Sequence, residues 1–119
     1  MSSKDFSQPI REITVQELAT RLKTSTSKLQ LLDVREPLEV EMASIAGFEV
    51  LPLSQFSEWS TQIHSRFDKD AETVVMCHHG IRSAQMCQWL IDRGFTKVKN
   101  LAGGIDAYSI LVDRTVPRY

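Results

Sequence analysis

The stretch "VVMCHHGIRSAQMC", residues 74–87, decides the fold because it joins a strand signal to a helix signal through a cysteine. Together with Thr73, its first residues form the run "TVVM", whose β-branched and apolar side chains predict a short strand buried on both faces of a sheet. A helix is predicted at 83–93, where a glycine follows apolar side chains that recur at helical spacing: Ala84, Cys87, Leu90 and Ile91, then Gly94. A strand that leads through a short loop into a helix is the repeating unit of a parallel sheet.

The rest of the chain repeats this alternation. Further strands are predicted at 29–34, 48–53 and 97–101, and further helices at 14–23, 38–43, 54–67 and 105–112, the first opening with a capping box at Thr14 and Glu17. The sequence therefore predicts an α/β fold whose parallel sheet is covered by helices on both faces. We expect one domain over residues 10–119 behind a flexible tail at residues 1–9. Ligands of such sheets bind beyond the carboxyl ends of the strands, and Cys77 lies at that edge.

Composition excludes several classes of function. The 119 residues include 14 basic and 15 acidic ones that are interspersed, so no basic surface for nucleic acid is predicted. No apolar run approaches the roughly 20 residues that cross a bilayer, and the first residues carry no secretory signal pattern. We therefore expect a cytoplasmic protein with no nucleic-acid or membrane partner, in which Cys77 and Cys87 are free thiols.

Cys77 is the candidate nucleophile. Backbone N–H groups of a loop that enters a helix curve around an atom at this position, and the positive end of the helix dipole lies behind them. Such a site favours an anion, so the pKa of the thiol is predicted to lie below the ordinary value of about 8.5. Gly80 lets the backbone turn without filling the hollow, and Arg82 is expected to add a positive charge at the end of the loop.

Three segments resemble one protein family. The loop "CHHGIRS", residues 77–83, resembles the active-site loop of single-domain rhodaneses, which are sulfurtransferases. The segment "LLDVREPLEV" resembles the family's upstream signature, in order Asp33, Arg35, Pro37 and Glu39. The segment "NLAGGIDAY" resembles its downstream part around Gly103 and Gly104. Because the three segments occur in the family's order and spacing, the resemblance extends over nearly the whole chain from Ile13 to Tyr119.

The resemblance implies a three-layer α/β/α fold around a parallel sheet of about five strands, and a two-step reaction without a cofactor. Cys77 would take a sulfane sulfur from a small anionic donor such as thiosulfate, hold it as a persulfide, and pass it to cyanide or a thiol. A partner protein could serve as donor or acceptor. The other residues of the loop would bind the substrate: His78, His79, Gly80, Ile81, Arg82 and Ser83. Asp33 and Arg35 are expected to support the loop as an ion pair.

Other interpretations stay open. A cysteine-based phosphatase or arsenate reductase would need five residues between cysteine and arginine, whereas four separate Cys77 from Arg82. A rhodanese-like domain can also serve as a binding module, sulfur carrier or sensor. No metal site is predicted, because Cys77, His78 and His79 are adjacent and adjacent residues can seldom point at one ion. The two histidines also stand where thiosulfate-using relatives often carry arginine or lysine, so thiosulfate need not be the natural donor. Cys87 is interpreted as part of the core.

Overall fold

Five parallel strands form one sheet in the computed structural model, which describes residues 9–24 and 28–119. The strands are β1 (Arg11–Ile13), β2 (Gln30–Asp33), β3 (Glu49–Val50), β4 (Thr73–Met76) and β5 (Val98–Leu101). Their order across the sheet is β1-β5-β4-β2-β3. Every neighbouring pair is parallel, which confirms the predicted parallel sheet. Because β4 is the central strand, the loop that follows it places Cys77 at the middle of the sheet's carboxyl edge.

Helices cover both faces of this sheet. They are α1 (Val15–Thr24), α2 (Pro37–Met42), α3 (Phe56–Trp59), α4 (Ile63–Arg66), α5 (Ile81–Asp92) and α6 (Gly104–Leu111). One hydrophobic cluster joins the sheet to α3, α4 and α5 through side chains such as Trp59, Ile63 and Leu90. A second cluster joins it to α1 and α6 through Leu18 and Ile105. The predicted three-layer α/β/α arrangement is therefore confirmed.

The predicted capping box at the start of α1 is also confirmed. The backbone N–H of Thr14 donates to Glu17 Oε1 at 2.9 Å, and the N–H of Glu17 donates to Thr14 Oγ1 at 3.0 Å. Two N–H groups that the helix itself cannot satisfy thus find acceptors, which fixes where α1 begins.

Three local predictions were wrong. The strand β1 was missed, because three residues with two exposed side chains carry almost no hydrophobic pattern. The helix predicted at 54–67 is instead two short α-helices joined and preceded by 3₁₀ turns at Leu53–Gln55 and Ser60–Gln62. Its path is broken where Gln62 leaves helical dihedral angles. In α5 the buried side chains are Ser83, Met86, Cys87 and Leu90, whereas Ala84 and Ile91 are only half-buried.

Two further predictions concern the first residues of the chain and its relation to membranes. The tail predicted at residues 1–9 lies outside the described residues, apart from Pro9. Among the helices of the described ranges, none combines the length and apolar character needed to span a lipid bilayer.

Candidate active site

The sulfur of Cys77 lies at the bottom of the loop between β4 and α5. The residue is 1% exposed, and its Sγ accepts a hydrogen bond from the backbone N–H of Gly80 at 3.1 Å. The hydroxyl of Ser83, in the first turn of α5, lies 3.2 Å from the same sulfur. Gly80 has φ +103°, a left-handed conformation that side-chain-bearing residues rarely adopt, and this turns the chain from the loop into the helix. The loop therefore folds back around Sγ.

This environment favours the thiolate of Cys77. Burial is the largest single influence and raises the pKa of the thiol. Donations from the Ser83 hydroxyl and from the backbone N–H groups of Ser83, Gly80 and His79 together outweigh burial, so the pKa lies below its ordinary value. A lowered pKa is what a cysteine nucleophile requires near neutral pH.

Asn100 on β5 connects two parts of the loop and was not identified from the sequence. It is a buried polar residue whose Nδ2 donates to the carbonyl oxygen of Gly80 at 2.9 Å. Its Oδ1 lies 2.5 Å from Ser83 Oγ. Ser83 has one hydroxyl proton, so it can donate either to Asn100 or to Cys77, but not to both. Asn100 therefore holds the loop and competes with the sulfur for that proton.

The start of α6 forms the other support of the loop. The N–H groups of Ile105 and Asp106 donate to the carbonyl oxygens of Cys77 and His78, at 3.0 and 3.1 Å. A Cβ at Gly104 would lie 2.5 Å from the Cys77 carbonyl oxygen, so only glycine allows this close approach. The downstream segment identified in the sequence thus contacts the loop through its backbone.

Arg82 points to α2 and forms a bidentate ion pair with Glu39. Its Nη1 donates to Glu39 Oε2 at 2.7 Å and its Nη2 to Glu39 Oε1 at 2.9 Å. The Arg82 guanidinium lowers the pKa of Glu39 to about 2, and Glu39 in turn raises the pKa of Arg82. The positive charge expected at the end of the loop is therefore present, but a carboxylate balances it.

Asp33 and Arg35 form a second bidentate pair, buried behind the first. Arg35 is fully buried, and its Nε and Nη2 donate to the two oxygens of Asp33 at 2.9 and 2.8 Å. Arg35 also donates to the carbonyl oxygen of Ala43 at 2.8 Å and to the Tyr119 hydroxyl at 3.0 Å. That hydroxyl donates to Glu39 Oε1 at 3.0 Å, so the two ion pairs are linked. Tyr119 is another residue of the site that the sequence patterns did not indicate.

The two histidines of the loop differ in their surroundings. The ring of His78 stacks between those of His79 and Tyr119, with centroids 3.9 and 4.0 Å away. Burial lowers the pKa of His78 below its ordinary value. His79 is exposed, and its Nε2 lies 3.7 Å from Asp106 Oδ2. Ile81, the next loop residue, is 73% exposed and forms an apolar rim.

One group of potential metal ligands lies beside the loop. Ligand atoms of His78, His79 and Asp106 are within 4.8 Å of one another. The histidine rings stack at 29°, so their in-plane lone pairs run side by side instead of converging on one point. Asp106 is also engaged by Arg118 at 2.9 Å. We therefore assign no metal to these three residues.

Comparison with known proteins places these features in context. A sequence profile of the Rhodanese-like domain family matches residues 14–111. The Arabidopsis thaliana rhodanese-like/PpiC domain-containing protein 12, chloroplastic, is 43% identical over 114 residues, which are 94% of this chain but only 38% of that protein. A protein of Allochromatium vinosum named "Sulfurtransferase" is 33% identical over 100 residues, 84% of this chain and 89% of that protein. A solved structure, a rhodanese-like domain protein from Staphylococcus aureus, has a TM-score of 0.74 at 25% identity and covers 92% of this chain and 99% of its own.

Proposed function

The chain belongs to the Rhodanese-like domain family, and on that premise we propose that it is a sulfurtransferase that works through a persulfide on Cys77. It moves a sulfane sulfur from a donor such as thiosulfate to a nucleophilic acceptor, either cyanide or a thiol. The observation that carries the proposal is the Cys77 sulfur itself, which accepts a hydrogen bond from Gly80 N–H at 3.1 Å, lies 3.2 Å from the Ser83 hydroxyl, and has a lowered pKa.

In the first step the Cys77 thiolate attacks the outer sulfur of the donor. A bond forms between Sγ and that sulfur while the donor's own sulfur–sulfur bond breaks, and the electron pair of the broken bond leaves with sulfite when thiosulfate is the donor. The product is a persulfide whose terminal sulfur carries the negative charge. The N–H groups of the loop are placed to stabilise this charge, in the way that an oxyanion hole stabilises an oxygen.

In the second step the acceptor attacks the terminal sulfur of the persulfide. Cyanide becomes thiocyanate, or a thiolate becomes a new persulfide, and the electron pair of the broken bond returns to the Cys77 sulfur. The same hydrogen-bond donors that lower the pKa of Cys77 make it a good leaving group, because they stabilise the thiolate that is released. One residue thus serves as nucleophile and leaving group in turn.

Intact mass spectrometry tests the proposal directly. Incubation with a sulfane donor should add one sulfur, about 32 Da, and cyanide should remove it. Cys77→Ser should abolish the gain in mass. Cys87→Ser is the matched control, since Cys87 is buried in α5 and burial raises its pKa to about 12, so its removal should leave the gain intact. Equal loss in both variants would contradict the proposal.

The physiological setting is part of the same proposal. We propose that the protein acts in a reducing compartment such as the cytoplasm, which would keep Cys77 and Cys87 as the free thiols that the structure has. A thiol acceptor or a partner protein that delivers or receives the sulfur would approach the loop over its exposed residues His79 and Ile81. The first prediction to test in cells is that Cys77 is found partly as a persulfide.

A further inference from the structure

The elements around the Cys77 loop carry three arginines, and each one is paired with a carboxylate. All three pairs have an N···O distance below 3 Å: Arg82 with Glu39 at 2.7 Å, Arg35 with Asp33 at 2.8 Å, and Arg118 with Asp106 at 2.9 Å. The charges of these three pairs therefore cancel. A thiolate at Cys77 then makes the site negative.

Glu39 holds Arg82 firmly in place. Each oxygen of this carboxylate accepts one hydrogen bond from Arg82 and a second one from elsewhere, from the Tyr119 hydroxyl at 3.0 Å and from the backbone N–H of Glu36 at 3.1 Å. All of these acceptor positions are filled, and the carboxylate side chain is only 18% exposed. Moving Arg82 toward a bound anion would break a bidentate, charge-assisted pair and leave Glu39 unbalanced.

The histidines do not replace that missing charge. His78 is stacked between two rings, and burial lowers the pKa of this imidazole, which favours its neutral form. His79 faces a carboxylate, since its Nε2 lies 3.7 Å from Asp106 Oδ2. The remaining variable position of the loop is Ile81, which is apolar. A dianion that approaches the thiolate thus meets a repulsion that Arg82 offsets only in part, because Glu39 balances the charge of this guanidinium.

Sulfane donors differ in the charge of their reactive form. Thiosulfate reacts as a dianion, whereas a hydropersulfide R–S–SH is attacked at its outer sulfur in the neutral, protonated form. We propose that this site selects a neutral hydropersulfide over thiosulfate, and that the Glu39 carboxylate sets this preference by holding Arg82. The inference rests on the proposed function and names the class of donor for the same cysteine.

The transfer from a hydropersulfide is balanced without any further reagent. The Cys77 thiolate forms a bond to the outer sulfur of R–S–SH, the sulfur–sulfur bond of the donor breaks, and the electron pair of that bond leaves on the thiolate R–S⁻. The proton stays on the transferred sulfur, which the loop amides then help to ionise. The exposed side chain of Ile81 offers an apolar contact to the carbon group of the donor.

The experiment compares two donors, thiosulfate and the hydropersulfide of N-acetylcysteamine, whose organic part is uncharged. For each donor, kcat/KM is measured from the rate at which Cys77 gains one sulfur atom, a mass of about 32 Da. Because the donors differ in intrinsic reactivity, the deciding quantity is how the ratio of the two kcat/KM values changes. Glu39→Gln keeps the size and one acceptor oxygen but releases the charge of Arg82, so it should raise kcat/KM for thiosulfate about fivefold and that for the hydropersulfide less than about twofold.

Glu41→Gln is the matched control. Glu41 lies on the same helix α2 and is exposed, so its removal changes the net charge by the same amount without touching Arg82. It should leave the donor ratio unchanged. If Glu39→Gln and Glu41→Gln shift the ratio equally, or if neither shifts it, the inference is overturned.

Salt dependence of the wild type decides the question even where Glu39→Gln fails to fold. Between roughly 20 and 300 mM NaCl, kcat/KM for thiosulfate should stay level or rise, because salt screens a repulsion. A steep fall would reveal an attractive cationic site and overturn the inference while the proposed function stands. Failure of both donors to load Cys77 would instead contradict the proposed function itself.

Discussion

The shared proton of Ser83 leads to a specific expectation for the Cys77 thiol. When Cys77 is a neutral thiol, the Ser83 hydroxyl can donate to Asn100 Oδ1 at 2.5 Å and accept from the thiol. When Cys77 is a thiolate, the hydroxyl must turn to the sulfur, and Asn100 loses its donor. Ser83→Ala removes the hydroxyl in both states and should raise the pKa of Cys77.

The size of this effect follows from the difference between the two hydrogen bonds. A hydrogen bond to a charged acceptor contributes about 2 kcal/mol and a neutral one about 1 kcal/mol. The thiolate therefore gains about 1 kcal/mol net from Ser83, which corresponds to roughly 0.7 pKa unit. The backbone N–H groups of Gly80 and His79 remain in the variant, so the shift should not greatly exceed this value. At a pH below the pKa, the thiolate fraction should fall about fivefold.

The rate of Cys77 alkylation by iodoacetamide, followed by intact mass as a function of pH, measures this pKa. Cys87 does not interfere, because burial raises its pKa to about 12. Ser109→Ala is the matched control, since Ser109 is also a buried serine, but its hydroxyl donates to the carbonyl oxygen of Val116, far from the loop in the chain. An unchanged or lower Cys77 pKa in Ser83→Ala, or the same shift in the Ser109 variant, would refute the reasoning.

Three further predictions concern the supports of the loop and the choice of reaction. Thermal unfolding should show that Gly104→Ala destabilises the protein by about 1–3 kcal/mol more than Gly94→Ala. Both glycines have positive φ, but only the new Cβ at Gly104 would strike the loop backbone, so equal losses of stability would argue against the contact. Arg82 lowers the pKa of Glu39 from 4.5 to about 2, so the stability that this pair contributes is present above pH 4.5 and is lost as the pH falls toward 2. The Tm of Glu39→Gln should therefore vary less over this pH window than the Tm of the wild type. Finally, the wild type should not hydrolyse an aryl phosphate, because four residues between Cys77 and Arg82 form too small a cradle and Glu39 occupies the guanidinium; phosphatase turnover that disappears in Cys77→Ser would contradict this.

The succession of the core strands and helices along the chain could be predicted, because each of these elements carries its own periodic signal. The strand β4 is buried along its whole length, and its unbroken apolar run reflects that position at the centre of the sheet. Short elements at the margins lack such a signal. The strand β1 was missed for this reason, and the segment 54–67 kept a helical spacing of apolar residues even though its backbone alternates between α and 3₁₀ turns.

The polar surroundings of the Cys77 sulfur could be predicted for a similar reason. The N–H group of Gly80 and the hydroxyl of Ser83 both lie within six residues of Cys77, so the local sequence specifies the surroundings of the sulfur. Asn100 and Tyr119 act from other elements. A single asparagine in a strand and a tyrosine near the end of the sequence have no spacing that points to a loop far away in the chain.

The electrostatic character of the site is decided at still longer range. Read locally, the loop "CHHGIRS" carries one arginine and two histidines and looks cationic. The carboxylate that balances Arg82 lies 43 residues earlier, and the hydroxyl that holds this carboxylate lies 80 residues after it. The thiolate depends on hydrogen bonds from nearby backbone N–H groups, whereas the electrostatic potential that a sulfur donor meets depends on ion pairs with distant residues. Two proteins with the same loop can therefore share the chemistry of sulfur transfer and still prefer sulfur donors of different charge. On the proposed function, we therefore expect Glu39 and its partners, more than the loop itself, to set which sulfane donor Cys77 prefers.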